Sequence, residues 1–104
     1  MKFLEASEFT GQRAWAALDL AKIPDATVRL HWTDQPYIWH VNDGTEVFVV
    51  LDGEIDMHYR TQGTERVERL VPGRVCVAEI GDEHVAHPRN GPARILVVEQ
   101  AGSV

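Results

Sequence analysis

The central stretch of the chain reads Trp39-His40-Val41-Asn42-Asp43-Gly44-Thr45-Glu46 and continues as Val47-Phe48-Val49-Val50-Leu51-Asp52-Gly53. On an extended strand, residues two apart face the same side, so His40 and Asn42 can point at one spot. Asp43-Gly44 is a strong tight-turn signal, and it places Glu46 at the head of the next strand. We therefore expect His40, Asn42 and Glu46 to meet where these two strands adjoin.

A second polar turn, Gly81-Asp82-Glu83-His84, brings another imidazole much later in the chain. Short strands at regular spacing, with glycine turns between them, indicate a sandwich or a closed barrel. We predict that His40, Glu46 and His84 converge inside a small β-barrel, with Asn42 beside them.

The remaining segments suggest one domain over residues 1–104, with an N-terminal arm and helix in 1–25 and a β-barrel in 26–100. The helix is predicted over Gln12 to Ala21, where Ala14, Trp15, Leu18 and Ala21 recur at helical spacing and Pro24 follows. From Ala26 onward the chain alternates apolar and polar residues between turns, which is typical of half-buried strands.

Composition narrows the classes of partner. The chain has 104 residues, with 10 basic and 16 acidic side chains and a formal charge of −6. That balance disfavours nucleic acid as a partner. No apolar run is long enough to span a membrane, and no signal-peptide pattern is present, so we expect a cytoplasmic protein. Cys76, the only cysteine, is expected to be a buried thiol rather than a nucleophile.

The spacing of polar residues and glycines in two segments resembles that of a known protein family. The pattern His40-x-Asn42-x3-Glu46-x6-Gly53, followed by Gly73-x7-Gly81-x2-His84, resembles the two signature motifs of the cupin superfamily. The similarity is to small single-domain bacterial cupins of the cupin 2 or mannose-6-phosphate-isomerase-like kind. It implies an all-β double-stranded β-helix, or jelly-roll, barrel, here with one short N-terminal helix. It also implies a homodimer.

Four positions depart from those motifs. Asp34 stands where motif 1 opens with glycine, and Asn42 replaces its second histidine. Glu79 replaces the proline of motif 2, and Pro88 replaces its closing asparagine. The position of Glu79 is compatible with a rim residue or with an extra acid near the site.

In cupins the motif histidines and the glutamate bind a divalent metal inside the barrel. Carried over by position, the resemblance implies His40, Glu46 and His84 as ligands, with Asn42 in place of a histidine. Two imidazoles and a carboxylate would suit Fe(II), Mn(II), Ni(II) or Zn(II). The alternative is a metal-free pocket in which His40, Asn42 and His84 form a hydrogen-bonded cluster and Glu46 holds a histidine tautomer.

The pocket around the site is expected to be mostly apolar. Phe48 and Val50 share the strand parity of Glu46, and Met57 and Tyr59 lie on one face of a later strand, so these four are the predicted lining residues. His31 and His58 are expected at the surface, and His87 is a weaker candidate for the site.

The function expected from these residues is binding of a small organic molecule together with a divalent metal. Isomerisation and oxygenation are both possible reactions, because the fold hosts many chemistries. The alternative is a non-catalytic protein that binds a sugar-like molecule in a metal-free or degenerate site. A vestigial pocket is the third reading.

Overall fold

The computed structural model describes residues 1–102, and in that range the chain forms one curved sheet of seven strands. The strands are β1 (Ala16–Ile23), β2 (Ala26–Thr33), β3 (His40–Val41), β4 (Glu46–Thr61), β5 (Thr64–Leu70), β6 (Val75–Ala78) and β7 (Glu83–Gln100). A single 3₁₀ turn at Ala6–Glu8 precedes them. Within the same residues, no helix has the length and apolarity required to cross a membrane.

Every strand pairing is antiparallel, and the order across the sheet is β1-β2-β7-β4-β5, with β3 added beside β7 and β6 beside β4. The two long strands β4 and β7 pair along most of their length. The first part of β4 also pairs with β6 and its second part with β5. This ribbon therefore runs through both layers of the barrel, as the predicted jelly-roll fold requires.

The bend in β4 occurs at Gly53, where the pairing register with β7 shifts. Gly53 has a φ of 83°, which a residue with a side chain rarely adopts. A Cβ at this position would lie 2.6 Å from the Pro92 carbonyl oxygen. A glycine is therefore needed here both for the backbone conformation and for the close approach of β7.

The core lies between the two layers of the bent sheet. Its buried members are Phe48, Val50, Ile55, Met57, Leu70, Ala86, Ala93, Ile95 and Val97. Phe48 and Val50 alternate with the half-buried Val47 and Val49, so Glu46, at the same parity as Phe48, also faces inward.

The predicted helix over Gln12 to Ala21 is wrong, because most of this segment belongs to β1. Ala16, Leu18 and Leu20 are half-buried and the residues between them exposed, so the segment also fits a period of two. Trp15 has a φ of 59°, which interrupts any right-handed helix. Pairing with β2, from Ala16 opposite Trp32 to Ile23 opposite Ala26, supplies backbone hydrogen bonds that outweigh a weak helical preference.

Candidate functional site

The four predicted site residues lie together. His40 in β3 is the direct cross-strand partner of His84 in β7, and their ring centroids are 4.4 Å apart. Glu46 begins β4, and its carboxylate oxygen is 3.9 Å from His84 Nε2. Asn42 is in the intervening loop, where its backbone N–H donates to the Asp82 carbonyl (2.8 Å) and its carbonyl accepts from Gly81 (2.9 Å). These two bonds hold the turns of both motifs against each other.

The side chain of Asn42 is hydrogen-bonded at both ends. Its Nδ2 donates to the Gly44 carbonyl at 2.8 Å, which leaves Oδ1 facing His84 Nε2, also at 2.8 Å. Since an amide oxygen only accepts, His84 Nε2 must carry the proton. Asn42 and His84 are both buried, with 4% and 5% of their surface exposed, so this bond is shielded from water.

His40 is oriented by its own backbone neighbourhood. Its Nδ1 donates to the Ile38 carbonyl at 2.9 Å, which leaves Nε2 as the nitrogen with a free lone pair in the neutral ring. The ring of Tyr37 packs edge-on against it, with centroids 5.3 Å apart. This arrangement fixes the imidazole beside His84.

Glu46 has an unusual partner. Its direct neighbour across the β4–β7 pairing is a second acid, Glu99. Burial raises the pKa of Glu46 to about 8, and the side chain of Glu99 and the charge of Asp43 act in the same direction. Glu46 is therefore mostly protonated at neutral pH.

His84 is uncharged at the same pH. Burial and, to a smaller extent, the neighbouring His40 lower the pKa of its imidazole, and Asp82 opposes them. The resulting pKa is about 4. The central pair of the cluster thus consists of a neutral carboxylic acid and a neutral imidazole.

The residues present do not fit a metal ion in this arrangement. His84 Nε2 is occupied as a donor to Asn42, and burial raises the pKa of Glu46, which favours its neutral and more weakly coordinating form. Of the two predicted imidazole ligands, only His40 therefore presents a free ring nitrogen. Within residues 1–102, no three side chains drawn from His, Cys, Asp and Glu are grouped so that they could hold a metal.

A cavity of about 160 Å³ lies beside the cluster. It is lined by Trp15, His31, Tyr37, His40, Glu46, Phe48, His84, Ala86, Val97 and Glu99. Burial lowers the pKa of His31, and its ring packs on Trp15 with centroids 6.0 Å apart. Aromatic and aliphatic side chains thus form most of the wall, with the two carboxyl groups among them.

The predicted lining residues are divided among three places. Phe48 lines the 160 Å³ cavity, whereas Val50 is packed in the core with no exposed surface. Met57 and Tyr59 line a second cavity of about 280 Å³, which also contacts Cys76 and His84. His84 therefore borders both cavities.

The remaining candidates lie elsewhere. His87 stacks on His58, with ring centroids 4.5 Å apart, and neither residue lines either cavity. Glu79 is exposed and does not line them. Cys76 is half-buried against the core, and burial raises the pKa of its thiol.

Among the residues of the cavity wall that were not predicted from the sequence are Glu99, His31 and Trp15. Glu99 shares strand parity with the buried Ile95 and Val97, so an acid on the inward face of an apolar strand was the available signal. His31 was expected at the surface, and Trp15 was assigned to the helix. Their positions follow from the pairing of β1 with β2 and of β2 with β7.

No protein-family model matches the sequence, and no curated protein matches it. Among solved structures, a cupin-2 domain-containing protein from Shewanella frigidimarina has a TM-score of 0.76 at 24% identity, over 90% of this chain and 86% of that one. A cupin superfamily protein from Desulfitobacterium hafniense has a TM-score of 0.74 at 16% identity, over 91% and 85%.

A conserved protein with a double-stranded β-helix domain from Klebsiella pneumoniae is similar over the whole of this chain. The match covers 100% of this chain and 96% of that one, with a TM-score of 0.74 and 18% identity. At such identities the similarity concerns the fold, and the function has to be argued from the site. The chain has the cupin fold, a double-stranded β-helix barrel built around the two motif turns.

Proposed function

We propose that this cupin barrel binds a small organic molecule in the 160 Å³ cavity without a metal ion. The observation that carries the proposal is the hydrogen bond of 2.8 Å between His84 Nε2 and Asn42 Oδ1. In this bond, Asn42 occupies the position at which the cupin motif has a metal ligand. Its side chain binds His84 there.

The energetics of this bond favour the metal-free state. Both partners are buried, and a buried polar atom that loses its partner costs about 1–3 kcal/mol. A metal at His84 Nε2 would displace that proton and leave the amide of Asn42 to act as a ligand. An amide oxygen suits hard ions better than Fe(II), Ni(II) or Zn(II). Coordination of the metal by Asn42 would therefore offset little of the free energy lost with the hydrogen bond.

The cavity has the character of a small-molecule site. Its wall is mainly apolar and aromatic, and a few polar groups are gathered at one place, as is usual for such sites. Its volume of about 160 Å³ is close to that of cavities that bind benzene. A ligand of about six to eight non-hydrogen atoms would therefore fill it.

A second candidate function, isomerisation, is favoured by the Glu46–Glu99 pair. A carboxylic acid whose pKa is raised to about 8 can donate a proton near neutral pH, and a second carboxyl group stands opposite it in Glu99. Proton abstraction and return on a bound carbonyl compound would need only such a pair. Oxygenation has no comparable support among these residues.

A thermal-shift screen on EDTA-treated protein tests the proposal. We expect at least one class among amines, sugars and carboxylic acids to raise the melting temperature equally with and without added metal. The variant Ala86→Leu, which fills part of the cavity, should abolish the shift, whereas Ala17→Leu on the exposed side of β1 should not. A shift that requires metal, or one that Ala86→Leu leaves unchanged, would contradict the proposal.

A further inference from the structure

The cavity beside the cluster brings two carboxyl groups together in one half-open space. Glu46 and Glu99 are direct cross-strand partners, and both line the cavity. Among its described lining residues there is no lysine or arginine. Carboxylates on opposed side chains repel each other, and a cation placed between them replaces that repulsion by attraction.

Burial lowers the pKa of two of the three histidines that line the cavity, His31 and His84. His84 is held as a neutral donor to Asn42, and His31 and His40 contribute rings to the wall. The turn adds Asp43, a further negative charge that acts on Glu46. The surroundings of the two carboxyl groups thus favour a positively charged ligand over a neutral or negative one.

The aromatic wall is suited to the same class of ligand. Trp15 packs edge-on against Tyr37, with ring centroids 5.3 Å apart, and both rings line the cavity together with Phe48. Aromatic faces attract organic cations by about 0.5–2 kcal/mol, most strongly where water is excluded. An ammonium group would therefore find carboxyl groups and aromatic rings in the wall of one cavity.

We propose that the cavity takes a small aliphatic amine, with its ammonium group between Glu46 and Glu99. This inference rests on the proposed function and specifies the chemical class of its ligand. It assigns Glu99, which lies outside both cupin motifs, as the residue that selects for charge.

A matched pair of ligands tests the inference. The compounds 4-amino-1-butanol and butane-1,4-diol have nearly the same shape and differ in charge. Each is titrated into EDTA-treated, ¹⁵N-labelled protein, and the indole N–H signal of Trp15 is followed. We expect the amine to shift this signal and to bind at least about tenfold more tightly than the diol, because a hydrogen bond to a charged group is worth that much.

Two variants distinguish the effect of the Glu46–Glu99 pair on amine binding from the effect of removing any carboxylate. Glu99→Gln keeps a hydrogen-bonding group opposite Glu46 but removes a charge, so it should weaken amine binding about tenfold and leave the diol unchanged. Glu79→Gln removes an exposed carboxylate outside both cavities and should change neither.

Equal affinity for the two compounds, or no binding of the amine, would overturn the inference. If the thermal-shift screen then yields a neutral or anionic ligand that Ala86→Leu blocks, the proposed function stands and only the ligand class is wrong. If no class binds, both fail.

Discussion

Asn42 determines how the polar cluster of this barrel is held together. Its amide donates to the Gly44 carbonyl and accepts from His84, so both of its ends are fixed by bonds within the protein. A histidine at this position would instead offer a ring nitrogen, which is a better ligand for borderline divalent metals than an amide oxygen. The single replacement of a motif histidine by asparagine therefore changes a set of potential ligands into a closed hydrogen-bonded network.

Glu46 makes the stability of the fold depend on pH. Its pKa in the folded state is raised from 4.5 to about 8, so its protonated form stabilises the fold. That contribution is complete below pH 4.5 and is lost as the pH rises through about 8. We expect the free energy of unfolding, measured by urea titration, to fall between pH 6.5 and 8 with a slope on the order of 1 kcal/mol per pH unit.

The pH range from 6.5 to 8 separates the effect of Glu46 on stability from that of the buried His84. The pKa of His84 is lowered from 6.5 to about 4, so its effect on stability is confined below pH 6.5, where stability decreases as the pH falls. In Glu46→Gln the decline between pH 6.5 and 8 should be largely absent, whereas Glu79→Gln should retain it. An unchanged slope in Glu46→Gln would mean that Glu46 is ionised in the folded protein.

At the scale of the elements, the bend of β4 depends on Gly53. An alanine there would have a Cβ 2.6 Å from the Pro92 oxygen and 3.0 Å from Ala93 Cα. Gly63 is a matched control, because it also has a positive φ, 79°, but nothing lies within 4 Å of its added Cβ. We expect Gly63→Ala to cost about 1–2 kcal/mol from the backbone conformation alone.

Gly53→Ala should cost more than Gly63→Ala by at least about 1 kcal/mol, because overpacking against backbone is added to the strained φ. The comparison of urea midpoints for the two variants measures that difference directly. Equal losses would show that β7 can move away from β4 without penalty.

The elements also show where the sequence is ambiguous. The strands after Ala26 could be predicted, because alternation and glycine turns both indicated them, whereas the segment from Gln12 to Ala21 contained apolar residues compatible with two periods. The presence of β2 as a pairing partner decided between them. Such information is non-local, and local spacing alone cannot supply it.

At the scale of the whole molecule, the spacing of two motifs was enough to predict the cupin barrel and the meeting of His40, Asn42, Glu46 and His84. The rest of the site could not be predicted in the same way. Glu99 reaches Glu46 through the β4–β7 pairing, and Trp15 belongs to a segment whose conformation was wrongly assigned. The homodimer implied by the resemblance stays a prediction.

The central claim is that the Asn42–His84 hydrogen bond stands in place of a metal site. The most direct test is the metal content per chain of untagged protein after exposure to Mn(II), Fe(II), Ni(II) or Zn(II) and dialysis. We expect the wild-type protein to retain far less than one ion per chain and Asn42→His to retain more, because a third imidazole completes the ligand set. One ion per chain in the wild type, lost in His84→Ala, would contradict the claim.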